Sequence, residues 1–287
     1  MTLLAVPNIS EGTDPMLLDE LEQAVVNEGV RVLDTHSDRA HNRTVFTLTA
    51  PPEQLLDGCV ALAALAAARI DLTKHRGVHP RIGAMDVCPF VPHRGSMEDA
   101  IALAHRAAAA IASEVRLPIY LYGRAALRAE TRELPELRRG GLTTLARRAS
   151  TDLPPDEGPV EVDPKRGVVC VGARGPLIAF NVWLRGDERA AREMAREVRS
   201  TSLRALGLEI SDTDCQVSMN LVDPAVTGIE QAFSAVAGSA RRRGIEITAT
   251  EIVGLVSERF LPDPDATVTR LLKQPGHSLE ASLDPPG

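Results

Sequence analysis

The chain has 287 residues, a formal net charge of −7 and 44% hydrophobic residues. That length suits two modest domains or one large one with a full apolar core, and the acidic balance argues against a nucleic-acid partner. Cys59, Cys88, Cys170 and Cys215 are scattered, with no Cys-x-x-Cys pair, so neither a zinc site nor a disulfide framework is expected. The longest apolar run, Cys59 to Ala68, is too short to span a bilayer. The N-terminus reaches Pro7 and Glu11 too soon for a signal peptide. A cytoplasmic protein is therefore expected. All 32 basic residues are Arg except Lys74, Lys165 and Lys273, a bias that reads as genome composition.

Leu3 to Val6 reads as a short strand, followed by a turn over Pro7 to Gly12. From Asp14 to Asn27, Leu17, Leu18, Leu21, Ala24 and Val25 fall on one helical face. A strand over Val30 to Asp34 leads into a polar loop, Thr35 to Arg43. A second strand, Thr44 to Thr49, stops at Pro51 and Pro52, and a helix follows to Ile70. Met85 to Val91 is a strand, Glu98 to Val115 an Ala-rich helix, and Leu117 to Leu121 a strand. The first six of these elements fit the split β-α-β unit of ferredoxin-like folds. Thr131 to Gly158, with Pro135, Gly140, Gly141, Pro154 and Pro155, reads as a linker holding one helix. Strands over Gly167 to Ala173 and Leu177 to Leu184 open a second α/β pattern. A helix over Asp187 to Ala205, a strand over Gln216 to Val222, a helix over Ala225 to Arg243 and a strand over Ile247 to Val256 complete it. The tail after Pro262 is expected to fray.

The expected fold class is thus α/β (α+β), with two ferredoxin-like-type α/β subdomains, residues 1–165 and 166–287, and a cleft between them. Small-molecule sites favour such interfaces, so the linker is a candidate for lining the site.

The stretch His75 to Phe90, HRGVHPRIGAMDVCPF, holds the densest chemistry. His75 and His79 are four apart, as in helical zinc pairs, but Arg76 stands where a zincin needs Glu and Gly77 interrupts. Pro80 also pushes His79 out of helical geometry. No metal is expected. A restrained His79 can take and return a proton near neutral pH, and Arg81 and Asp86 can bind an anion or orient the ring. Set against this, a lone loop histidine is more often structural. Asn8, Asn42 and Arg43, at strand ends, are equally at home in binding sites and in plain turns. No Gly-rich phosphate loop and no G-x-S-x-G elbow occurs.

Taken together, several pieces resemble the formiminotransferase family. They are Val6-Pro7-Asn8-Ile9-Ser10-Glu11-Gly12, Asn42-Arg43-Thr44-Val45-Phe46-Thr47, and above all His79-Pro80-Arg81-Ile82-Gly83-Ala84-Met85-Asp86-Val87-Cys88-Pro89-Phe90. Pro118 to Gly123, Leu177 to Asn181, Gln216 to Leu221 and Ile252 to Val256 continue the resemblance in order.

The resemblance implies transfer of a formimino group between N-formimino-L-glutamate and tetrahydrofolate, in histidine degradation and one-carbon metabolism. It implies His79 as the catalytic residue and tetrahydrofolate as co-substrate. Its folate-contacting segment corresponds to Gly158, Pro159, Val160, Glu161, Val162, Asp163, Pro164, Lys165, Arg166 and Gly167. Asn8, Asn42, Arg43, Arg81 and Arg174 are candidates to contact substrate, because folate and glutamate both carry carboxylates. The resemblance further implies a homodimer, and a separate cyclodeaminase acting next, since the helical cyclodeaminase of bifunctional relatives does not follow here. Two alternatives stay open at this point: a related folate-dependent formyl or other one-carbon transferase with another amine, and a non-catalytic folate-binding protein.

Overall fold

A computed structural model of the chain describes residues 2–284. Internal contacts divide it into two units, residues up to Arg174 and residues from Gly175 onward.

In the first unit, β1 (Leu3–Ala5) and β2 (Asn8–Ile9) form one interrupted strand. Pro7, which has no N–H to donate, breaks the ladder between them. Both lie between β4 (Arg43–Thr49) and β5 (Met85–Pro92) and run antiparallel to each. Helix α1 (Pro15–Asn27) starts where the Asp14 carboxylate accepts the Met16 and Leu17 N–H groups. It leads to β3 (Arg31–Asp38), which pairs with β4 at the sheet edge. Helix α2 (Pro52–Arg69) precedes β5, and α3 (Met97–Glu114), closed at its start by a Ser96–Asp99 capping box, follows it. The strand order β3-β4-β1/β2-β5 is that of a ferredoxin-like sheet. Two parallel strands extend it: β7 (Val169–Ala173) pairs with β5, and β6 (Ile119–Gly123) pairs with β7.

One face of this sheet is apolar and covered by α1, α2 and α3. Leu21, Leu62, Ala63, Ala107 and Ile111 meet Phe46, Leu48, Phe90, Leu121 and Val171, all fully or almost fully buried. The opposite face carries a smaller core, in which Val87, Tyr120, Tyr122 and Cys170 meet Leu137, Leu145 and Leu153.

That second core corrects the linker expectation. Residues 131–158 hold two α-helices, α4 (Leu134–Arg138) and α5 (Gly141–Ala149), and they bury Leu137 and Leu145 against the sheet. The boundary also differs from 165. Residues 166–174, expected to open the second half, belong to the first unit because β7 is hydrogen-bonded on both sides by β5 and β6. The polar stretch 35–43 is likewise mostly strand. Thr35 to Asp38 lie in β3, and only residues 39–42 turn. An edge strand takes polar residues readily, which made this one read as loop.

The second unit repeats the ferredoxin-like pattern as β8 (Ile178–Arg185), α6 (Glu188–Val198), β9 (Leu203–Glu209), β10 (Asp214–Leu221), α7 (Ile229–Arg243) and β11 (Glu246–Val253). The sheet order is β11-β8-β10-β9, antiparallel throughout. Phe180, Val182, Met219 and Val217 pack on Met194, Ala195, Phe233 and Val236.

The first three residues of β9, Leu203 to Ala205, were expected to end a helix. The helix stops at Val198, and after four polar residues Leu203 and Ala205 enter the core at a period of two. Gly207 permits this, because a Cβ there would overlap the backbone of Ala191 and Arg192 in α6. The stretch after Pro262 is held rather than frayed. Thr250 donates its N–H to the Leu271 carbonyl, and His277–Ser278 pair with Leu255–Val256. Residues 285–287 lie outside the described residues.

Overpacking at so close an approach typically costs about 1–3 kcal/mol. Gly207→Ala should therefore lower the urea midpoint of unfolding by a corresponding amount. An unchanged midpoint would contradict the α6–β9 contact.

Candidate active site

The site grows from three backbone segments stitched together by Asn42. Its φ of 47° lies in the left-handed region, which asparagine tolerates better than most side chains. Its Oδ1 accepts the Gly12 N–H at 2.9 Å, and its Nδ2 donates to the Arg76 carbonyl at 2.8 Å. Its own carbonyl lies 2.9 Å from His75 Nε2 and accepts from that ring. Val78 N–H donates to the Ala40 carbonyl at 3.1 Å. Gly77 lets the two turns approach, since a Cβ there would overlap the His41 carbonyl. The β3–β4 turn thereby fixes the corner that carries His79.

His79 is half-buried, and its Nδ1 lies 2.8 Å from the Pro80 carbonyl oxygen. A carbonyl can only accept, so this contact assigns the proton to Nδ1 and leaves a lone pair on Nε2. The His41 ring sits beside it, centroids 5.6 Å apart and tilted by 34°. Burial pushes the His79 pKa well below its ordinary value. The positive charges of Arg43 and Arg138, and the His41 ring, push it the same way against a weaker pull from Asp86. The ring is therefore a neutral base at neutral pH.

Those charges meet at Asp86, whose carboxylate is wholly buried. Its Oδ1 accepts the Ile82 N–H at 2.8 Å, its Oδ2 accepts Arg43 Nη1 at 2.8 Å, and Arg138 Nη2 donates to the same Oδ2. Burial alone would raise the Asp86 pKa. The Arg138 and Arg43 charges, with the Ile82 bond, overcome that and hold it far below the usual carboxylate range. Arg43 also places Nε and Nη2 on Asn8 Oδ1 at 3.0 and 2.7 Å, and Asn8 Nδ2 donates to the Val6 carbonyl at 2.9 Å. Asn8, Arg43 and Asp86 are thus one network across β2, β4 and β5.

Arg81 donates to the Gly77 carbonyl at 2.6 Å, bracing the His79 corner from its far side. Arg174 sits apart, beside the Tyr122 hydroxyl at the end of β7.

The segment 158–167 docks directly after the His79 corner. Ala84 N–H donates to the Arg166 carbonyl at 2.9 Å, and Val168 N–H donates to the Ile82 carbonyl at 2.9 Å. Leu72 N–H donates to the Lys165 carbonyl at 2.9 Å. Gly158 and Gly167, at φ of 83° and 72°, anchor the ends where a Cβ would overlap the Leu117 and Ile82 carbonyls. Between them Pro159, Val160, Glu161, Asp163, Pro164 and Lys165 are exposed, while Val162 and Arg166 are half-buried. Asp163 shapes the turn by accepting the Lys165, Arg166 and Gly167 N–H groups.

Arg138 is the residue that sequence reading missed. It lies in α4, within the supposed linker. The available signal was an acid inside the strand run Met85 to Phe90, which demands a buried cation. Which of many arginines answers it is a tertiary fact.

Residues 2–174 match the model for the formiminotransferase domain, N-terminal subdomain, and residues 177–265 match that for the formiminotransferase domain. The chain belongs to the formiminotransferase family. A glutamate formimidoyltransferase from Streptococcus pyogenes serotype M1 is 35% identical over 90% of each chain. One from Thermoplasma acidophilum is 35% identical over 90% of this chain and 89% of its own. The formimidoyltransferase-cyclodeaminase of Sus scrofa is 34% identical over 91% of this chain, which spans about half (51%) of that longer protein. The two family matches meet close to where internal contacts divide the chain.

Removing one member of a buried ion cluster costs about 3–5 kcal/mol. Asp86→Asn, which strands two guanidinium groups, should lose that much in urea denaturation. The pH dependence has two windows. Asp86, lowered in the folded state, contributes stability above its unfolded pKa near 3.9, and this is lost as pH falls toward its folded value. His79 is also lowered, so below about pH 6.5 the unfolded chain binds a proton that the folded ring refuses, and stability falls with pH. His79→Gln should lose less stability than the parent protein between pH 7.5 and 5. A parallel loss would contradict a depressed imidazole.

Proposed function

We propose that this protein transfers the formimino group of N-formimino-L-glutamate to tetrahydrofolate, as a glutamate formimidoyltransferase with His79 as its proton shuttle. Family membership and the names of relatives matched along nine-tenths of both chains support the reaction. The observation that carries the residue role is the His79 ring itself. Its proton is tied to the Pro80 carbonyl, its Nε2 is bare, and burial together with cationic neighbours keeps it neutral.

The chemistry follows from those properties. The formimino carbon is an amidine carbon, electrophilic when protonated. The attacking amine forms a bond to it and sheds a proton, which His79 Nε2 accepts. The imidazolium then returns that proton to the glutamate nitrogen as the carbon–nitrogen bond to glutamate breaks. One ring acts as base and then as acid, and the ledger of protons closes without another donor. Such catalysis contributes roughly 10²–10⁴-fold, and the rest comes from holding the two nitrogens close.

Tetrahydrofolate enters as a co-substrate. The segment 158–167 is our candidate for contacting it. Glycine-anchored ends, an exposed middle and docking beside Ile82 to Ala84 suit that role. The exposed Val160 offers apolar surface. Arg43, Asn8 and Asn42 act as the frame of the His79 corner, and Arg81 and Arg174 as candidates for carboxylates. A cytoplasmic homodimer, with a cyclodeaminase consuming the product, completes the proposal.

His79→Ala should lower kcat by about 10²–10⁴-fold in a steady-state assay with N-formimino-L-glutamate and tetrahydrofolate, while folate binding persists. Full activity in that variant would remove His79 from the chemistry. Turnover by the parent protein with a formyl donor only would replace the reaction itself.

A further inference from the structure

The cluster around Asp86 does not balance its charge. Two guanidinium groups, always cationic, share one carboxylate. Their side chains are only 12% and 18% exposed, and the carboxylate is not exposed at all. The next charge acting on Arg43 is Arg81, which is also positive. Burial and its neighbours keep the Cys170 thiol and the Tyr122 hydroxyl in their neutral forms. The described residues bring no second carboxylate into hydrogen bond or ion pair with Arg43 or Arg138. A net positive charge held out of water is costly unless something pairs with it.

The two arginines differ in what they have left to offer. Arg43 is committed at all three nitrogens, with Nε and Nη2 on Asn8 and Nη1 on Asp86. Arg138 reaches Asp86 through Nη2, and its Nε has no hydrogen-bond partner. We propose that Arg138 seats the α-carboxylate of the formimino-amino acid, the anion that completes the Arg43–Asp86–Arg138 cluster. This rests on the formimino-transfer reading above.

The bonding of the substrate favours that carboxylate over those of folate. In N-formimino-L-glutamate the α-carboxylate and the departing nitrogen are attached to the same carbon. A formimino group presented to His79 therefore brings this carboxylate with it, toward a corner where the Arg138 guanidinium is one of the charges acting on the ring. The carboxylates of folate are at the far end of that molecule from its reactive amine. A bound carboxylate would also offset the cationic field on His79. Arg43 from β4, Arg138 from α4, His41 from the β3–β4 turn and Asp86 from β5 are the groups that set this field. The ring would then bind a proton more tightly in the complex than in the free enzyme, at the point where the reaction needs a base.

The test compares the parent protein with Arg138→Gln and Arg138→Lys. In Arg138→Gln the KM for N-formimino-L-glutamate should rise by about 30-fold or more, with that for tetrahydrofolate within about twofold. Arg138→Lys, which keeps the charge but not the fork, should fall between. The His79 ring, followed by NMR in the parent protein with N-formimino-L-glutamate and no folate, should titrate at higher pH than in the free protein. Arg138→Gln should abolish that difference. A merely structural arginine would lower thermal stability without abolishing it. An unchanged KM for N-formimino-L-glutamate, or a rise confined to tetrahydrofolate, overturns the proposal. Should Arg138→Gln not fold, a KM in Arg138→Lys equal to the parent value overturns it. No formimino transfer by the parent protein would instead overturn the reaction assigned to it.

Discussion

A single carboxylate, Asp86, holds the His79 corner together. It is buried in the strand that follows His79, and it exists as an anion only because Arg43 and Arg138 reach it from two other elements. Its second oxygen takes the Ile82 N–H, so the same group fixes the backbone three residues past the imidazole. An ion cluster of this kind is a poor source of net stability but an exacting constraint on geometry. It ties β2, β4, β5 and α4 to one point. The local field at that point is positive, and a histidine beside it stays neutral.

The fold supplies the constraint through strand order. Placing β1/β2 between β4 and β5 brings Asn8, Arg43 and Asp86 onto neighbouring strands although the sequence separates them by up to 78 positions. The parallel extension by β7 and β6 then creates the surface on which α4 lies. Leu137 anchors α4 in the second core and Arg138, the next residue, turns to the carboxylate. Apolar packing of a short helix thus aims the charge carried by its next residue. The second unit repeats the antiparallel order on its own, and its close α6–β9 packing depends on a glycine.

Much of this was legible in the residues. Helix α1 announced itself by Asp14 and by the spacing of Leu17, Leu21 and Val25, and β5 by its apolar run before Pro92. The family was legible in motifs such as His79 to Phe90, and the chain belongs to it. Strand β9 was hidden because its neighbour α6 ends in ordinary helix formers and the change of period spans only Leu203, Ala205 and Leu208. The β3 edge was hidden because polar edge residues look like loop. Strand β7 was recognised as a strand but given to the wrong half, since pairing partners are not written in local pattern. Arg138 was invisible for the same reason. Its partner lies 52 residues away, and nothing near it in sequence asks for an acid.

One ring is central to the proposed transfer, a neutral imidazole with its proton on Nδ1. Nitrogen-15 NMR of the folded protein at pH 7, with the His79 signals assigned by difference from a His79→Gln sample, reads that state directly. The expected spectrum shows a protonated Nδ1 and an unprotonated Nε2. A spectrum with the proton on Nε2, or with both nitrogens protonated at that pH, would contradict it.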